Sequence, residues 1–368
     1  MIRLLALLFV ALTAAPAPAQ NRVVVGMVVP QSGPLAGVGR DVIDATRAYL
    51  ENLRLPSGRT VGLVTMDDGN EPDRSARAAV TLIKTYNPVA FVNCFGTVGC
   101  AAQAEALRAA GVPMIGPLAG AQSLRTNEGR HVFAIRPSAE GELETLITHL
   151  KGMSVKRVAI VFQDDGFGRA YLPIAEEALP RLGFEKSAVV AINTVVPDYD
   201  KAALQLGPRG VLAVLLLTNV THSAGILKAM AARGIEPLAL NLAAQANAGF
   251  VRSMTGTWSY SVFAVFTPSP WRRAVPIARD YQDAWRSIAG DRPFSYLSFE
   301  AYLNARFLAE ALARAERTDL SPRRLIETLE TMPTIDFDGV QVKFARDQRQ
   351  GSRYSDVAVL TNRGSFVQ

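Results

Sequence analysis

The side chains most able to do chemistry in this 368-residue chain are few and scattered. Three histidines (His131, His149 and His222) and two cysteines (Cys94 and Cys100) are too few for a four-cysteine zinc site. They leave little for a histidine-based centre, so no metal and no cofactor is expected. No G-x-S-x-G, H-E-x-x-H, P-loop or S-x-x-K pattern occurs. The aspartate pairs Asp67-Asp68 and Asp164-Asp165 each follow an apolar run. Neighbours in a loop seldom converge as an acid/base couple, so helix capping or solvation is the expected role. Asp165-Gly166-Phe167-Gly168 lacks the third glycine of a dinucleotide loop and reads as a strand-to-helix turn. The inventory points away from catalysis.

The stretch Asn93-Cys94-Phe95-Gly96-Thr97-Val98-Gly99-Cys100-Ala101 is more informative. It joins a buried strand to a helix through two glycines and a hydroxyl. The first N–H groups of a helix have no intrahelical acceptor, so with the Thr97 hydroxyl they form a pocket suited to an anion or carboxylate. The loop Gly116-Pro117-Leu118-Ala119-Gly120-Ala121 again sets small residues where a ligand can approach backbone. Both loops follow strands, and open parallel sheets bind ligands outside their carboxyl ends. Cys94 and Cys100 bracket the first turn; they are either a disulfide or two small buried residues.

These loops need a scaffold, and the chain supplies one by alternation. Apolar, β-branched runs over 23–29, 61–66, 89–92 and 112–115 alternate with helical spacing over 41–53, 74–86 and 101–110. That βα series predicts a parallel sheet covered on both faces. A second series has strands over 157–162, 187–192, 211–217 and 238–242. Its helices fall over 140–150, 169–182 (interrupted by Pro173), 202–206 and 223–232. The tail has a strand over 262–266, helices over 275–289, 296–313 and 322–331, then strands over 340–344 and 356–360. It is too short of βα units for a third domain and is expected to distribute over the two lobes.

The N-terminus has Arg3, an apolar run from Leu4 to Leu12, and then Ala17-x-Ala19. A spanning helix needs roughly 20 apolar residues, so the run reads as a secretory signal peptide over 1–19, with no membrane insertion of the mature chain. The net charge of +6 is spread without a basic block, so no nucleic-acid partner is expected.

The chain resembles the periplasmic solute-binding proteins of the leucine/isoleucine/valine-binding type, which serve ATP-driven importers. The resemblance is carried by Gly26-Met27-Val28-Val29-Pro30-Gln31-Ser32-Gly33-Pro34-Leu35-Ala36, Asp67-Asp68-Gly69-Asn70-Glu71-Pro72 and Phe95-Gly96-Thr97-Val98-Gly99. Further matches are Val112-Pro113-Met114-Ile115-Gly116-Pro117, Phe133-Ala134-Ile135-Arg136-Pro137, and Val158-Ala159-Ile160-Val161-Phe162 through Phe167-Gly168. They fall in family order across essentially the whole mature chain.

The resemblance implies an α/β fold of two Rossmann-like lobes with parallel sheets, joined by a three-strand hinge, the type I periplasmic binding protein. It divides the chain into 20–137 plus 267–337 and 138–266 plus 338–368. The implied role is a periplasmic binding component of an ABC importer, not an enzyme, whose partners are a small carboxylate ligand and a membrane permease. A ligand-sensing module that signals to a membrane receptor is the alternative.

By the same resemblance Thr97 contacts the ligand carboxylate, and Ala119 and Gly120 follow with backbone, Gly120 standing where a Thr or Ser is usual. Phe167 closes over the ligand from the second lobe, and Asn219 lies nearby. Ser32, Gly99, Leu118 and Leu242, from the same stretches and loops, complete the candidate set. Amino-acid binders of the family place an acid after the strand that here ends in Asn241-Leu242-Ala243-Ala244-Gln245. Without that acid a buried ammonium would go unpaired, which favours an apolar or aromatic acid lacking an ammonium unless Asp165 or another acid substitutes.

Overall fold

The structure is a computed structural model that describes residues 22–126, 130–207, 212–257, 260–317 and 319–368. The expected signal peptide lies outside the described residues. Strand β1 (Arg22–Val29) shows why the chain forms a sandwiched sheet. Val23, Val25, Met27 and Val29 enter one apolar core, while Val28 enters another on the opposite face. Both faces are therefore buried, as a parallel sheet requires. Around it lie β2 (Thr60–Asp67), β3 (Ala90–Val92), β4 (Met114–Ile115) and β5 (Val132–Phe133), in the order β2-β1-β3-β4-β5, all parallel.

One face carries α2 (Pro72–Tyr86) and α3 (Thr97–Ala110). The other carries α1 (Ala36–Leu50) with three helices from the far end of the chain, α9 (Pro276–Ala289), α10 (Tyr296–Ala315) and α11 (Pro322–Thr331). Tyr281, Trp285, Leu303, Phe307 and Leu325 from those helices share a core with β1.

The second sheet has seven strands in the order β14-β13-β10-β9-β8-β6-β7. Strands β6 (Arg157–Gln163), β7 (Glu185–Ile192), β8 (Ala213–Leu217), β9 (Leu238–Asn241) and β10 (Ser261–Val265) run parallel. The edge formed by β13 (Asp356–Leu360) and β14 (Phe366–Val367) is antiparallel. Here too alternate residues divide between two cores, Ala159 and Val161 on one face and Val158 and Ile160 on the other. Helices α4 (Ala139–His149), α5 (Gly166–Arg181), α6 (Tyr199–Leu206), α7 (Val220–Ala231) and α8 (Ala248–Ser253) cover it.

Three local expectations are corrected. Helix α5 is continuous through Pro173, which sits on its exposed face, where the carbonyl left without an N–H partner can be hydrated. Helix α3 begins at Thr97, a full turn before the expected 101, because Gly96 at φ +83° turns the backbone into the helix there. Residues 340–344, expected with the second lobe, belong to the first. The hairpin of β11 (Ile335–Phe337) and β12 (Val340–Val342) lies in its core, and Phe344 packs edge-on against Phe133 and Phe307.

Three segments cross between the lobes, after β5, after β10 and before β13. The first and third pair as backbone: Ala134 N–H donates to Arg349 O (3.0 Å), and Gly351 N–H donates to Ala134 O (2.8 Å). Buried Arg136 lies within the first crossing, makes a two-pronged ion pair with Glu300 on α10 (2.7 and 2.6 Å), and stacks over Phe266 of the second crossing. The hinge is thus tied to the first lobe by a desolvated charge pair. No helix among the described residues is long and apolar enough to cross a membrane.

Candidate functional site

Between the lobes lies a cavity of about 100 Å³. Of the residues expected from sequence, Thr97, Leu118, Ala119, Gly120, Phe167, Asn219 and Leu242 line it. Ser32 and Gly99 do not. The Ser32 backbone N–H and hydroxyl both donate to Asp67, at 3.1 and 2.6 Å, and its residue stays exposed. Gly99 lies buried within α3, where a Cβ would come within 3.0 Å of Ser75 Oγ on α2. Neither faces the cavity: Ser32 supports the loop after β2 through Asp67, and Gly99 lets α3 approach α2 closely.

Asp67 is the anchor of that support. It also accepts from the Gln31 and Gly69 N–H groups and pairs with Arg74. Partial burial raises its pKa, but the hydrogen bonds from Ser32, Gln31 and Gly69, together with Arg74, outweigh this and hold it at about 2. A carboxylate depressed in the fold adds stability above its unfolded pKa and loses it as pH falls toward the folded one. Asp67→Asn is therefore expected to cost about 1–2 kcal/mol at pH 7 and to flatten the acid limb of stability between about pH 4 and 2. Urea melts at a series of pH values measure this; an unchanged acid limb would sink the assignment.

The first-lobe wall of the cavity is the turn into α3. Cys94 and Cys100 form a disulfide across it, with Cα atoms 5.5 Å apart, enclosing Phe95 to Gly99 in a covalent ring. Of the helices that begin at the cavity, three are closed by their own side chains, whereas α1, with Leu35 at its cap position, and α3 are not. Ser138 accepts from Gly141 N–H on α4, Asp165 accepts from Phe167 and Gly168 N–H on α5, and Asn219 accepts from His222 N–H on α7. Helix α3 has glycine at its cap position and no side-chain acceptor. Its first N–H groups, the positive end of its dipole and the Thr97 hydroxyl all face an open space. This is the place in the cavity prepared for negative charge.

The opposite wall holds groups that sequence reading missed. Glu142 of α4 is buried; its Oε1 accepts from Ala243 N–H (2.7 Å) and its Oε2 from the Tyr171 hydroxyl (3.2 Å). Burial pushes its carboxyl up, against the pull of Arg136 and of these donors. Glu142 shares a helix face with Ala139, Leu143, Leu146 and Ile147, spacing that belongs to a core residue, and that was the legible signal. Tyr171 sits likewise among Ala175, Ala178 and Leu179. Gln163 links the second-lobe loops: its Nε2 donates to Asp165 and its Oε1 accepts from Asn219 N–H. The acid missing from 241–245 thus reaches the cavity from another element. Both candidate acids are already held by protein donors.

Two interlocked α/β sheets, a three-segment hinge and a cavity prepared for an anion between them define a two-lobe binding protein. The model of the family described as periplasmic binding protein matches residues 22–365, and the chain belongs to that family. A Leu/Ile/Val-binding protein homolog 7 of Brucella abortus (strain 2308) is 25% identical over 341 residues, covering 86% of this chain and 83% of the relative. A substrate-binding periplasmic protein from Ralstonia solanacearum superposes with a TM-score of 0.83 at 25% identity, covering 94% of this chain and 99% of that one. An extracellular ligand-binding receptor from Verminephrobacter eiseniae gives 0.84 at 23% identity, covering 94% and 100%, and speaks for the fold.

Proposed function

We propose that this chain is the extracytoplasmic solute-binding component of an ABC importer, delivered to the periplasm by its leader. It closes on a small, mostly apolar carboxylate without an ammonium and hands it unchanged to a membrane permease. The observation that carries this reading is the uncapped start of α3 beside Thr97, facing a cavity whose apolar wall comes from Leu35, Phe95, Leu118, Phe167 and Leu242 and whose polar groups, Glu142, Gln163 and Asp165 among them, are bonded to one another or to backbone. A carboxylate there completes the orphan N–H groups and meets the helix dipole. Bound solute bridges the lobes, so it stabilises the closed form selectively, and that form is the signal a permease would read.

The absence of an ammonium follows from the second lobe. Both oxygens of Glu142 are occupied, and burial favours its neutral form. Asp165 is spent on the start of α5 and on Gln163. Neither is a free counter-charge, and an unpaired buried ammonium costs several kcal/mol. Leucine and 4-methylpentanoate differ only by the ammonium and its charge, which makes them the decisive pair. Calorimetric titration is expected to show 4-methylpentanoate binding at least about 10-fold more tightly, a difference of about 1.4 kcal/mol. Leucine binding as tightly or more tightly would overturn the ligand class. Failure of a broader panel of short-chain and aromatic acids would overturn the carboxylate itself.

A further inference from the structure

A carboxylate that enters this cavity meets another one already there. Glu142 is 2% exposed and lines the same space of about 100 Å³ as Thr97 and the start of α3. Its oxygens accept from Ala243 N–H (2.7 Å) and from the Tyr171 hydroxyl (3.2 Å). Tyr171 has one proton and gives it to Glu142. Its hydroxyl oxygen is wedged against Gly120, where a Cβ would lie 2.1 Å from it.

No free charge in the surroundings offsets a second anion. Arg136 of the first crossing attracts Glu142, but its guanidinium is held by Glu300 of α10. Arg125, in the short helix Gln122–Arg125, gives its terminal nitrogens to the carbonyls of Ala119, Ala121, Arg136 and Pro137. Helix α5 presents Tyr171, and Asp165 at its start adds a further carboxylate to the cavity wall. Strands β9 and β10, packed on α4, carry no titratable side chain. Asp356 of β13 acts on His149, at the far end of α4. Glu140 and Glu144, on α4 itself, are exposed. Burial already lifts the Glu142 carboxyl above its ordinary range, against the pull of Arg136, Ala243 and Tyr171.

Two carboxylates in one small desolvated space do not both stay charged; the second raises the pKa of the first. The start of α3 favours the ligand as the charged partner. Resting on the carboxylate reading of the cavity, we propose that binding of the acid is accompanied by uptake of a proton from solvent, and that Glu142 is the residue that takes it up. An O–H bond forms on Glu142 and no bond breaks in the ligand. As a neutral acid Glu142 still accepts from Ala243 and gains a donor in place of a negative charge. Glu142 thereby admits the anion.

Calorimetric titration with 4-methylpentanoate from pH 6 to 9, in paired buffers of different ionisation enthalpy, tests this. A group whose pKa rises on binding favours the complex at low pH and opposes it once deprotonated. The native chain is therefore expected to bind about 10-fold more weakly at pH 9 than at pH 6, the effect of a shift of about one unit at Glu142, and to take up part of a proton in between. Glu142→Gln is neutral throughout. It is expected to give a profile flat within about 2-fold, no proton uptake, and tighter binding than the native chain at pH 9. His222, bonded to Tyr199 and close to Asp165, also titrates near neutral pH, and any contribution from it would persist in Glu142→Gln. A flat native profile, or a slope and proton uptake that survive in Glu142→Gln, overturns the proposal. If that variant does not melt as a folded chain, the native profile and proton count decide alone. Acid that binds the native chain equally at every pH overturns only the proton uptake, whereas acid that binds at no pH overturns the carboxylate reading beneath it.

Discussion

Glu300→Ala is expected to lose about 3–5 kcal/mol of unfolding free energy. Both partners of the Arg136–Glu300 pair are buried, and two parallel hydrogen bonds hold them. Burial alone would lower the affinity of Arg136 for its proton; the charge and hydrogen bonds of Glu300 outweigh this and raise it. Removing Glu300 leaves a desolvated guanidinium whose remaining acidic neighbour, Glu142, already accepts from Ala243 and Tyr171. The cost is mostly that of the stranded charge, so replacing both partners tests the explanation. Arg136→Met with Glu300→Leu is expected to recover most of the loss, since apolar groups of similar volume replace buried pairs at little cost. Urea unfolding of the three proteins measures both quantities. A Glu300→Ala chain within about 1 kcal/mol of the native one would contradict the burial on which the argument rests.

Thr97→Val is expected to weaken binding of 4-methylpentanoate by about 10- to 100-fold while leaving the unliganded melting temperature nearly unchanged. The two side chains have almost the same shape, so the substitution removes one donor and little packing. A hydrogen bond to a charged group contributes about 1.5–3 kcal/mol, which sets that range. Thr97→Ser keeps the hydroxyl and is the matching control, expected to stay within a few-fold of native affinity. Affinity that survives in Val would place the carboxylate elsewhere in the cavity, and affinity lost in Ser but kept in Val would assign the role to the methyl that only Ser lacks. The Thr97 backbone N–H is unaffected in both variants, so residual binding reports the start of α3 by itself.

The two-lobe fold was legible because parallel strands buried on both faces read as continuous apolar runs, and β1, β6 and β8 did so plainly. The first-lobe side of the cavity was equally legible. Its chemistry sits in contiguous turns, at 95–99 and 116–120, where glycines, small residues and one hydroxyl follow strands. The second-lobe side was not. Glu142 and Tyr171 lie on helix faces whose spacing marks them as core, and Arg136 lies in a crossing segment that local pattern treats as a loop. Their roles arise from residues distant in sequence, such as Gly120, Ala243 and Glu300. Residues 340–344 were misplaced for the same reason. A two-stranded hairpin carries no local sign of which sheet it joins, and only its contacts with Phe133 and Phe307 decide.

The order in which the chain interleaves its lobes also constrains the order in which it can fold. The strands of the first sheet are complete by Phe133, but the helices that cover one of its faces begin only at Pro276. Until they arrive, Val23, Val25, Met27 and Val29 have only α1 and solvent beside them. The second sheet has five of its seven strands within one continuous stretch, from Arg157 to Val265. Contacts between residues so far apart close large loops, which slows folding and lengthens exposure of apolar surface. The C-terminal lobe should therefore consolidate first, and the lobe that carries the carboxylate turn should be last to become native. A chain cut after Val265 should keep protected amides in β6 to β10 and lose them in β1 to β5. The covalent ring between Cys94 and Cys100 is the exception, because it is closed within a single turn and needs nothing from the distant helices.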